Sequence, residues 1–130
     1  MSAGEQFRAA VESRDLEAMS ACLAEDVRFY SPVAFQPFES REVVTAVLGF
    51  VMENFEDFRY VDELGEGGSH MLRFQARIGD REVEGVDLLD ENADGLVERF
   101  TVMLRPLSAI IAMADAMSAA FEAAGGKPGS

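Results

Sequence analysis

The stretch HMLRFQARIGDREVEGVDLL, residues 70–89, decides the fold. Apolar and polar residues alternate on both sides of Gly79-Asp80, which is the pattern of two half-buried strands. A Gly-Asp pair between two such runs predicts a two-residue hairpin, in which Gly79 supplies the positive φ of a type II′ turn. The sequence therefore predicts an antiparallel pair of strands with Ile78 opposite Arg81.

The register of this hairpin predicts the position of Asp87, a carboxylate in the middle of an apolar strand. Counting back from the turn places Leu72 opposite Asp87 and makes His70 a diagonal neighbour of that carboxylate. Asp87 then shares the concave, inward face with an apolar row, and Gly85, opposite Phe74, leaves room over it. An unpaired buried charge is costly, so such a residue is usually paired, neutralised or functional.

The stretch LVERFTVML, residues 96–104, predicts the next strand. A pairing of Glu91 with Leu96 places Asp87 opposite Phe100. This register brings three apolar side chains to the concave face: Phe100, Val102 and Leu104. A slip of one residue would bring three others there instead: Arg99, Thr101 and Met103. We prefer the first register because it makes the concave face continuously apolar.

The rest of the chain has helical periodicity, interrupted by one short strand. Apolar residues recur at helical spacing in residues 4–14, 15–26 and 40–55, and again in 107–124. Asp15 and Ser40 are the predicted N-caps, VRFYSPV at 27–33 is a predicted strand, and GEGG at 65–68 is a predicted loop. The predicted apolar stripe of the last helix is Ile110, Ile111, Ala114, Met117 and Phe121. Helices followed by an antiparallel sheet predict an α+β protein.

Composition and charge limit the size and the partners of the protein. With 130 residues, 48% of them hydrophobic, the chain is expected to form one domain over residues 1–124, with a flexible tail at 125–130. The net charge of −13 argues against nucleic acid and against an anionic membrane surface. No segment has the apolar run of a signal peptide or of a membrane span, which predicts a cytoplasmic protein.

No cofactor and no metal ion are expected from the motifs. Cys22 is the single cysteine, so neither an intrachain disulfide nor a thiolate metal cluster can form. The chain has no Gly-rich phosphate loop and no zinc-ligand spacing. The carboxylates of DENADG, residues 90–95, lack the ordered spacing of a calcium loop.

Three segments resemble the SnoaL-like branch of the NTF2-like superfamily, which includes ketosteroid isomerases and polyketide cyclases. They are FRAAVESRDLEAMSACLAEDVRFYSPV at 7–33, VEGVDLLDENADGLVERF at 83–100 and FTVMLRPLSAI at 100–110. The resemblance implies a cone-shaped, curved antiparallel sheet with three N-terminal helices, here extended by a C-terminal helix. It also implies an apolar pocket and a homodimer formed through the outer sheet face. That face would carry Met71, Arg73, Gln75, Arg77, Val86, Leu88, Thr101 and Met103.

The resemblance carries over only part of an isomerase site. Ketosteroid isomerases use a tyrosine on the first helix, an aspartate base after the first strand and a protonated aspartate on the sheet. The matching positions here hold Phe7, Ser31 and Asp87, so isomerisation by that mechanism is not expected. The epoxide-hydrolase branch needs a carboxylate where this chain has Thr101, and that activity is disfavoured as well.

The chemistry of the predicted site rests on Asp87 and His70. An apolar setting would raise the pKa of Asp87 and make it a proton donor, with His70 as a base. The alternative is that the two pair with each other, or that Asp87 bonds a helix-end amide, as a buried polar anchor without chemistry. Ser31 would either bind a ligand or cap a turn. The side chains expected to contact a ligand are Phe7, Tyr30, Ser31, Leu72, Phe74, Phe100, Val102 and Leu104.

These observations favour a pocket protein for a small lipophilic molecule, polyketide-like or steroid-like. One alternative is a cofactor-free acid–base enzyme, such as a cyclase, isomerase or hydratase, that uses Asp87 and His70. The other alternative is a protein-interaction module of the NTF2 type. The fold alone does not decide among the three, because function depends on the site.

Overall fold

The hairpin predicted around Gly79 is present in the computed structural model, which describes residues 2–123. Those residues form four helices: α1 Ala3–Glu12, α2 Leu16–Ala21, α3 Arg41–Asn54 and α4 Leu107–Ala123. They also form six strands: β1 Leu23–Tyr30, β2 Phe38–Glu39, β3 Glu56–Glu66, β4 Ser69–Ile78, β5 Arg81–Glu91 and β6 Val97–Arg105. The predicted tail at 125–130 lies outside the described residues.

The six strands form one curved, open sheet with the order β2-β1-β6-β5-β4-β3. Neighbouring strands run antiparallel except β1 and β6, which are parallel. The helices pack on the inward face, where α1, α3 and α4 cover the buried aromatic side chains. The α+β class and the curved antiparallel sheet expected from the sequence are confirmed.

The β4–β5 register is the predicted one. Ile78 pairs with Arg81 and Leu72 pairs with Asp87, and Gly79 has a φ of 62° as the tight turn requires. Because side chains alternate along a strand, this register turns Asp87 toward the helices and not toward solvent. Asp87 is accordingly buried, with 5% of its surface exposed.

The predicted β5–β6 pairing is wrong by two residues, but the predicted face is correct. Asp87 lies opposite Val102, not Phe100, because the register shifts between Asp90 and Glu91. The turn after that bulge is held by Asn92, whose side-chain oxygen accepts hydrogen bonds from two backbone N–H groups of the same turn. A shift by an even number of residues preserves the alternation, so Phe100, Val102 and Leu104 still face inward.

Several element boundaries differ from the prediction. The second helix ends at Ala21, with Cys22 as a buried C-cap, and β1 already begins at Leu23. Leu23 pairs with Val97 of β6, and the Val97 N–H donates to the carbonyl of Cys22. Pairing with the sheet therefore ends the helix before its apolar spacing does. The sequence also assigned no strand to the residues of β3, an edge strand of 11 residues in which Tyr60 alone is buried. The predicted loop at 65–68 is too long, because Gly65 and Glu66 still pair with β4.

The C-terminal helix covers the sheet with a stripe that shares only Met117 with the predicted one among the described side chains. Its buried residues are Ala109, Met113 and Met117, spaced four apart, whereas Ile111 is exposed. Apolar residues occur all around this helix, so its periodicity leaves the buried side ambiguous. The side chain of Phe121 lies outside the described part of the structure. None of the described helices is long and apolar enough to cross a membrane.

Candidate functional site

A cavity of about 40 Å³ lies between the inward face of the sheet and the helices. Its wall consists of Phe, Val, Leu and Met side chains, apart from Asp87 and Tyr60. Phe7 of α1 forms the floor with Phe100 of β6, and the two rings meet edge to face with centroids 5.1 Å apart. Such a pair contributes about 0.5–1.5 kcal/mol beyond its buried area, which stabilises this side of the cavity.

Asp87 and Tyr60 form the polar end of the cavity. The Tyr60 hydroxyl donates a hydrogen bond of 2.8 Å to Oδ2 of Asp87. Burial raises the pKa of Asp87 to about 7, and the hydrogen bond from Tyr60 opposes part of that rise. Burial and the neighbouring Asp87 carboxylate raise the pKa of Tyr60 well above its ordinary value, so the phenol stays protonated.

The backbone explains why these two side chains meet. Tyr60 on β3 pairs with Phe74 on β4, and Phe74 pairs with Gly85 on β5. Asp87 lies two residues along from Gly85, on the same face. A Cβ atom at Gly85 would lie 2.5 Å from Cζ of Phe74, so the missing side chain makes room for that ring beside the cavity.

Sequence reasoning missed Tyr60. In the segment FRYV, residues 58–61, the aromatic residues Phe58 and Tyr60 alternate with Arg59 and Val61. This alternation is a strand signal, and aromatic residues are enriched in strands. The signal is weak because acidic residues flank the segment on both sides, where β3 is an exposed edge strand.

His70 does not pair with Asp87, contrary to the expected acid–base pair. Its Nε2 atom lies 3.0 Å from Oε2 of Glu91, and its ring is buried outside the cavity wall. Two glycines make space for the ring. A Cβ atom at Gly4 would lie 2.8 Å from Cγ of His70, and one at Gly65 would lie 2.7 Å from Nδ1. His70 therefore packs between α1 and β3, with its polar edge bound to a carboxylate.

Five of the side chains expected to contact a ligand line the cavity: Phe7, Phe74, Phe100, Val102 and Leu104. Leu72 is buried in the sheet but does not contribute to the wall. The Ser31 hydroxyl accepts hydrogen bonds from the backbone of Val33 and Ala34, at 3.4 and 3.2 Å, so it caps a turn. Tyr30 lies in a groove on the outside of the sheet, beneath the guanidinium of Arg99.

A sequence profile of the SnoaL-like domain matches residues 5–105. The chain belongs to the SnoaL-like domain family. A search of curated proteins found no significant match to this SnoaL-like domain. Solved structures do match, and two of them cover more than nine tenths of the chain.

Two solved structures are similar in both sequence and shape to this SnoaL-like domain. One is an uncharacterized protein with a cystatin-like fold from Silicibacter pomeroyi, with 38% identity, a TM-score of 0.88 and coverage of 92% of this chain and 85% of that chain. The other is a steroid delta-isomerase from Pseudomonas aeruginosa, with 33% identity, a TM-score of 0.87 and coverage of 93% and 90%. An NTF2-like protein from Cytophaga hutchinsonii, 17% identical over 83% of this chain and 91% of that chain with a TM-score of 0.66, shares the fold.

The site of this SnoaL-like domain offers one ionisable group to a molecule in the cavity. A carboxyl with a pKa of about 7 is divided between its two forms at neutral pH. Protonated, it donates a hydrogen bond to a carbonyl oxygen; ionised, it accepts one from a hydroxyl. Apart from Tyr60, whose proton is committed to Asp87, the described wall contains no second acid or base. Within residues 2–123, no group of three or more His, Cys, Asp or Glu side chains is arranged to hold a metal ion.

Proposed function

We propose that the protein binds a small lipophilic molecule, polyketide-like or steroid-like, with its polar atom against Asp87. The observation that carries this proposal is the placement of the Asp87–Tyr60 pair in the wall of an otherwise apolar, partly enclosed cavity. Binding sites for such ligands combine apolar walls with a few polar groups that fix orientation. The similarity to the steroid delta-isomerase from Pseudomonas aeruginosa supports the ligand class.

Binding requires the wall to move, because a cavity of about 40 Å³ is too small for a ring system. Pockets for small molecules usually have about 300–1,000 Å³. The wall includes Met52 of α3 and Met113 of α4, and unbranched Met side chains change rotamer easily. Met52 is partly exposed, whereas Met113 is buried. The ligand would enter past Met52 and displace Met113 from the cavity.

The test uses two probes with matched rings and opposite polar groups, 2-tetralone and 2-naphthol. The ketone accepts a hydrogen bond and needs the protonated Asp87 carboxyl, whereas the naphthol donates one and favours the ionised carboxylate. We expect the affinity of the ketone to fall above pH 7 and that of the naphthol to fall below pH 7. Isothermal titration calorimetry between pH 5.5 and 8.5 measures both affinities, with naphthalene as the probe that lacks a polar group.

The control variant is Asp87→Asn, whose amide donates and accepts at every pH. In this variant both probes should bind with affinities that do not depend on pH. If neither probe binds to the wild-type protein, and neither binds after the cavity is enlarged by Met113→Ala, the binding proposal is wrong. That result would favour the alternative of a protein-interaction module.

A second candidate is an acid–base enzyme that moves a proton on a bound ketone. Two observations favour it: the pKa of about 7 at Asp87, and the 33% identity to a steroid delta-isomerase. Phe7 and Ser31 stand at the two other positions of the isomerase site, so Asp87 would have to move the proton alone. Conversion of a 5-ene-3-ketosteroid to its conjugated 4-ene isomer, followed by ultraviolet absorbance, tests this candidate. An enzyme should lose turnover but keep affinity in Asp87→Asn.

A further inference from the structure

The two oxygens of the Asp87 carboxyl have different surroundings. Oδ2 accepts the hydrogen bond of 2.8 Å from Tyr60, which is the one hydrogen bond to Asp87 among residues 2–123. Every fully enclosed side-chain oxygen or nitrogen in that part of the chain has a partner. Oδ1 has none, so it is not fully enclosed, and Asp87 is part of the cavity wall. Oδ1 is therefore the oxygen that borders the cavity.

We propose that Tyr60 is a positioning residue that holds the Asp87 carboxyl by Oδ2 and leaves Oδ1 to meet the ligand. This inference rests on the proposed binding function and deepens it, because it assigns the ligand contact to one atom. It also adds a residue of β3 to a site that the sequence placed on β4, β5 and β6.

The Tyr60 ring is held firmly enough for this role. Phe58 and Phe74 meet it edge to face, with centroids 5.1 and 6.3 Å from the centroid of the Tyr60 ring. On the other side, the guanidinium carbon of Arg8 lies 5.9 Å from the ring centroid. Arg8 is in turn bound to Glu12 and Glu63, at 3.2 and 3.0 Å. The phenol is thus fixed between β4 and α1, and its hydroxyl has a fixed direction.

The charges around the pair leave Tyr60 as the main group that favours the ionised form of Asp87. Besides Asp87, the charged groups that act on Tyr60 are Arg8 and Glu12 of α1, and Arg8 is paired with Glu63 of β3. The wall residues from α2, α3, α4, β1, β4 and β6 are apolar. The pKa of Asp87 is raised by burial and lowered by the Tyr60 hydrogen bond, with no resolved contribution from a charged neighbour. Tyr60 therefore keeps the carboxyl able to ionise near neutral pH.

The variant Tyr60→Phe tests this inference because it removes one oxygen and keeps the ring. We expect the Asp87 carboxyl to titrate at a pH higher by about one unit, since hydrogen bonds to charged groups are the strong ones. A carbon-13 NMR titration of the carboxyl measures this without any ligand. The ratio of 2-naphthol affinity to 2-tetralone affinity at pH 8 should fall about tenfold, because it follows the ratio of ionised to protonated Asp87.

The matched control is Tyr30→Phe, which removes the hydroxyl of the only other tyrosine, outside the cavity. It should change neither the titration of Asp87 nor the affinity ratio. A Tyr60→Phe protein that titrates like the wild type, or that binds both probes in the wild-type ratio, would overturn the positioning role. Failure of both probes to bind to the wild type and to Met113→Ala overturns the binding function instead, and the ligand-free titration then still decides whether Tyr60 controls Asp87.

A measurement on the wild-type protein covers the case in which Tyr60→Phe does not fold. The Cζ resonance of Tyr60 should shift with the same midpoint as the Asp87 carboxyl, because the hydrogen bond strengthens when the carboxyl ionises. A Tyr60 resonance that does not respond between pH 5.5 and 8.5, while the carboxyl titrates, would contradict the inference.

Discussion

The Nε2 atom of His70 lies 3.0 Å from Oε2 of Glu91, although Asp87 is its other diagonal neighbour on β5. His70 faces Leu89, so Asp87 and Glu91 are placed symmetrically about it. Glu91 reaches His70 from the partly exposed end of the strand, whereas Asp87 is buried and bound to Tyr60. The two carboxylates therefore have separate partners, and only one of them faces the cavity.

This separation predicts that His70 stabilises the fold without affecting the site. The variant His70→Gln should lower the free energy of unfolding by about 1–3 kcal/mol, because a buried side chain loses packing and hydrogen bonding. The midpoint of the Asp87 titration should not move. Urea unfolding and carbon-13 NMR measure the two quantities. A changed Asp87 midpoint would show that His70 and Asp87 are coupled, as the sequence suggested.

The pKa of Asp87 predicts how stability depends on pH. The ordinary value is 3.8 and the value in the folded protein is about 7. Between these values the folded state binds more protons than the unfolded chain, so stability falls as pH rises. The difference of about three pH units corresponds to about 4 kcal/mol.

The variant Asp87→Asn isolates that contribution. Urea unfolding at pH 4.5 and pH 7.5 should show that the wild type loses stability relative to Asp87→Asn as the pH rises, by about 3 kcal/mol over this interval. The other titrating groups are common to both proteins and cancel in the comparison. Equal changes in both proteins would mean that Asp87 ionises in the folded state as it does in the unfolded chain.

The sequence predicts the face of Asp87 well because two independent patterns agree on it. The Gly79 turn determines the β4–β5 register, and the apolar alternation of β6 selects the same face. The pairing of Asp87 with Val102 could not be predicted, because the bulge at Asp90 leaves no signal in the alternation beyond it. A register shift of two residues cannot be detected from the apolar pattern, because every side chain stays on the same face of the sheet.

The partner of Asp87 was not predicted for a different reason. Tyr60 lies on an edge strand whose other residues are largely exposed and charged, so the apolar pattern there is weak. Edge strands commonly carry charges that prevent pairing with other chains. The β4–β5 register makes His70 a diagonal neighbour of Asp87, and an imidazole beside a carboxylate suggests acid–base chemistry. The His70 side chain points toward Glu91 because its ring fits against Gly4 and Gly65. The strand register alone does not determine that direction.

Close packing at Gly85 predicts a large cost for any added side chain. A Cβ atom there would lie 2.5 Å from Cζ of Phe74 and 2.6 Å from Cδ2 of Leu104. We expect Gly85→Ala to destabilise the fold by about 1–3 kcal/mol, because overpacking forces neighbours out of place. The control is Gly49→Ala in α3, where the nearest atom is 3.4 Å away and Ala favours the helix. Thermal unfolding of both variants checks this, and a neutral Gly85→Ala would mean that the cavity wall is loosely packed.

Truncation of Met113 is predicted to destabilise the fold and to strengthen ligand binding. Its side chain is buried against the cavity, so Met113→Ala should lower the free energy of unfolding by about 2–5 kcal/mol. The space gained should strengthen the binding of 2-tetralone by an order of magnitude. Ile111→Ala, on the exposed side of the same helix with 53% of its surface exposed, is the matched control and should change neither quantity. A loss of stability without any gain in affinity would mean that the enlarged cavity collapses around the missing side chain.

The outer sheet face is the surface through which we propose that two copies of the chain associate. A row of three apolar residues crosses β3, β4 and β5 there, because Leu64 pairs with Met71 and Met71 with Leu88, and the row ends at Thr101 of β6. Leu64 has 66% of its surface exposed, which is costly unless a partner covers it. The net charge of −13 opposes association, so salt should strengthen the dimer by screening that repulsion.

The variant Leu88→Glu tests the dimer because it places a carboxylate in that row without touching the cavity. Light scattering should give twice the chain mass for the wild type and one chain mass for Leu88→Glu, with unchanged thermal stability of the monomer core. Val43→Glu, which adds the same charge to an exposed position of α3, should remain dimeric. A wild-type protein that scatters as a monomer at every salt concentration would show that the exposed row has no partner in a second copy.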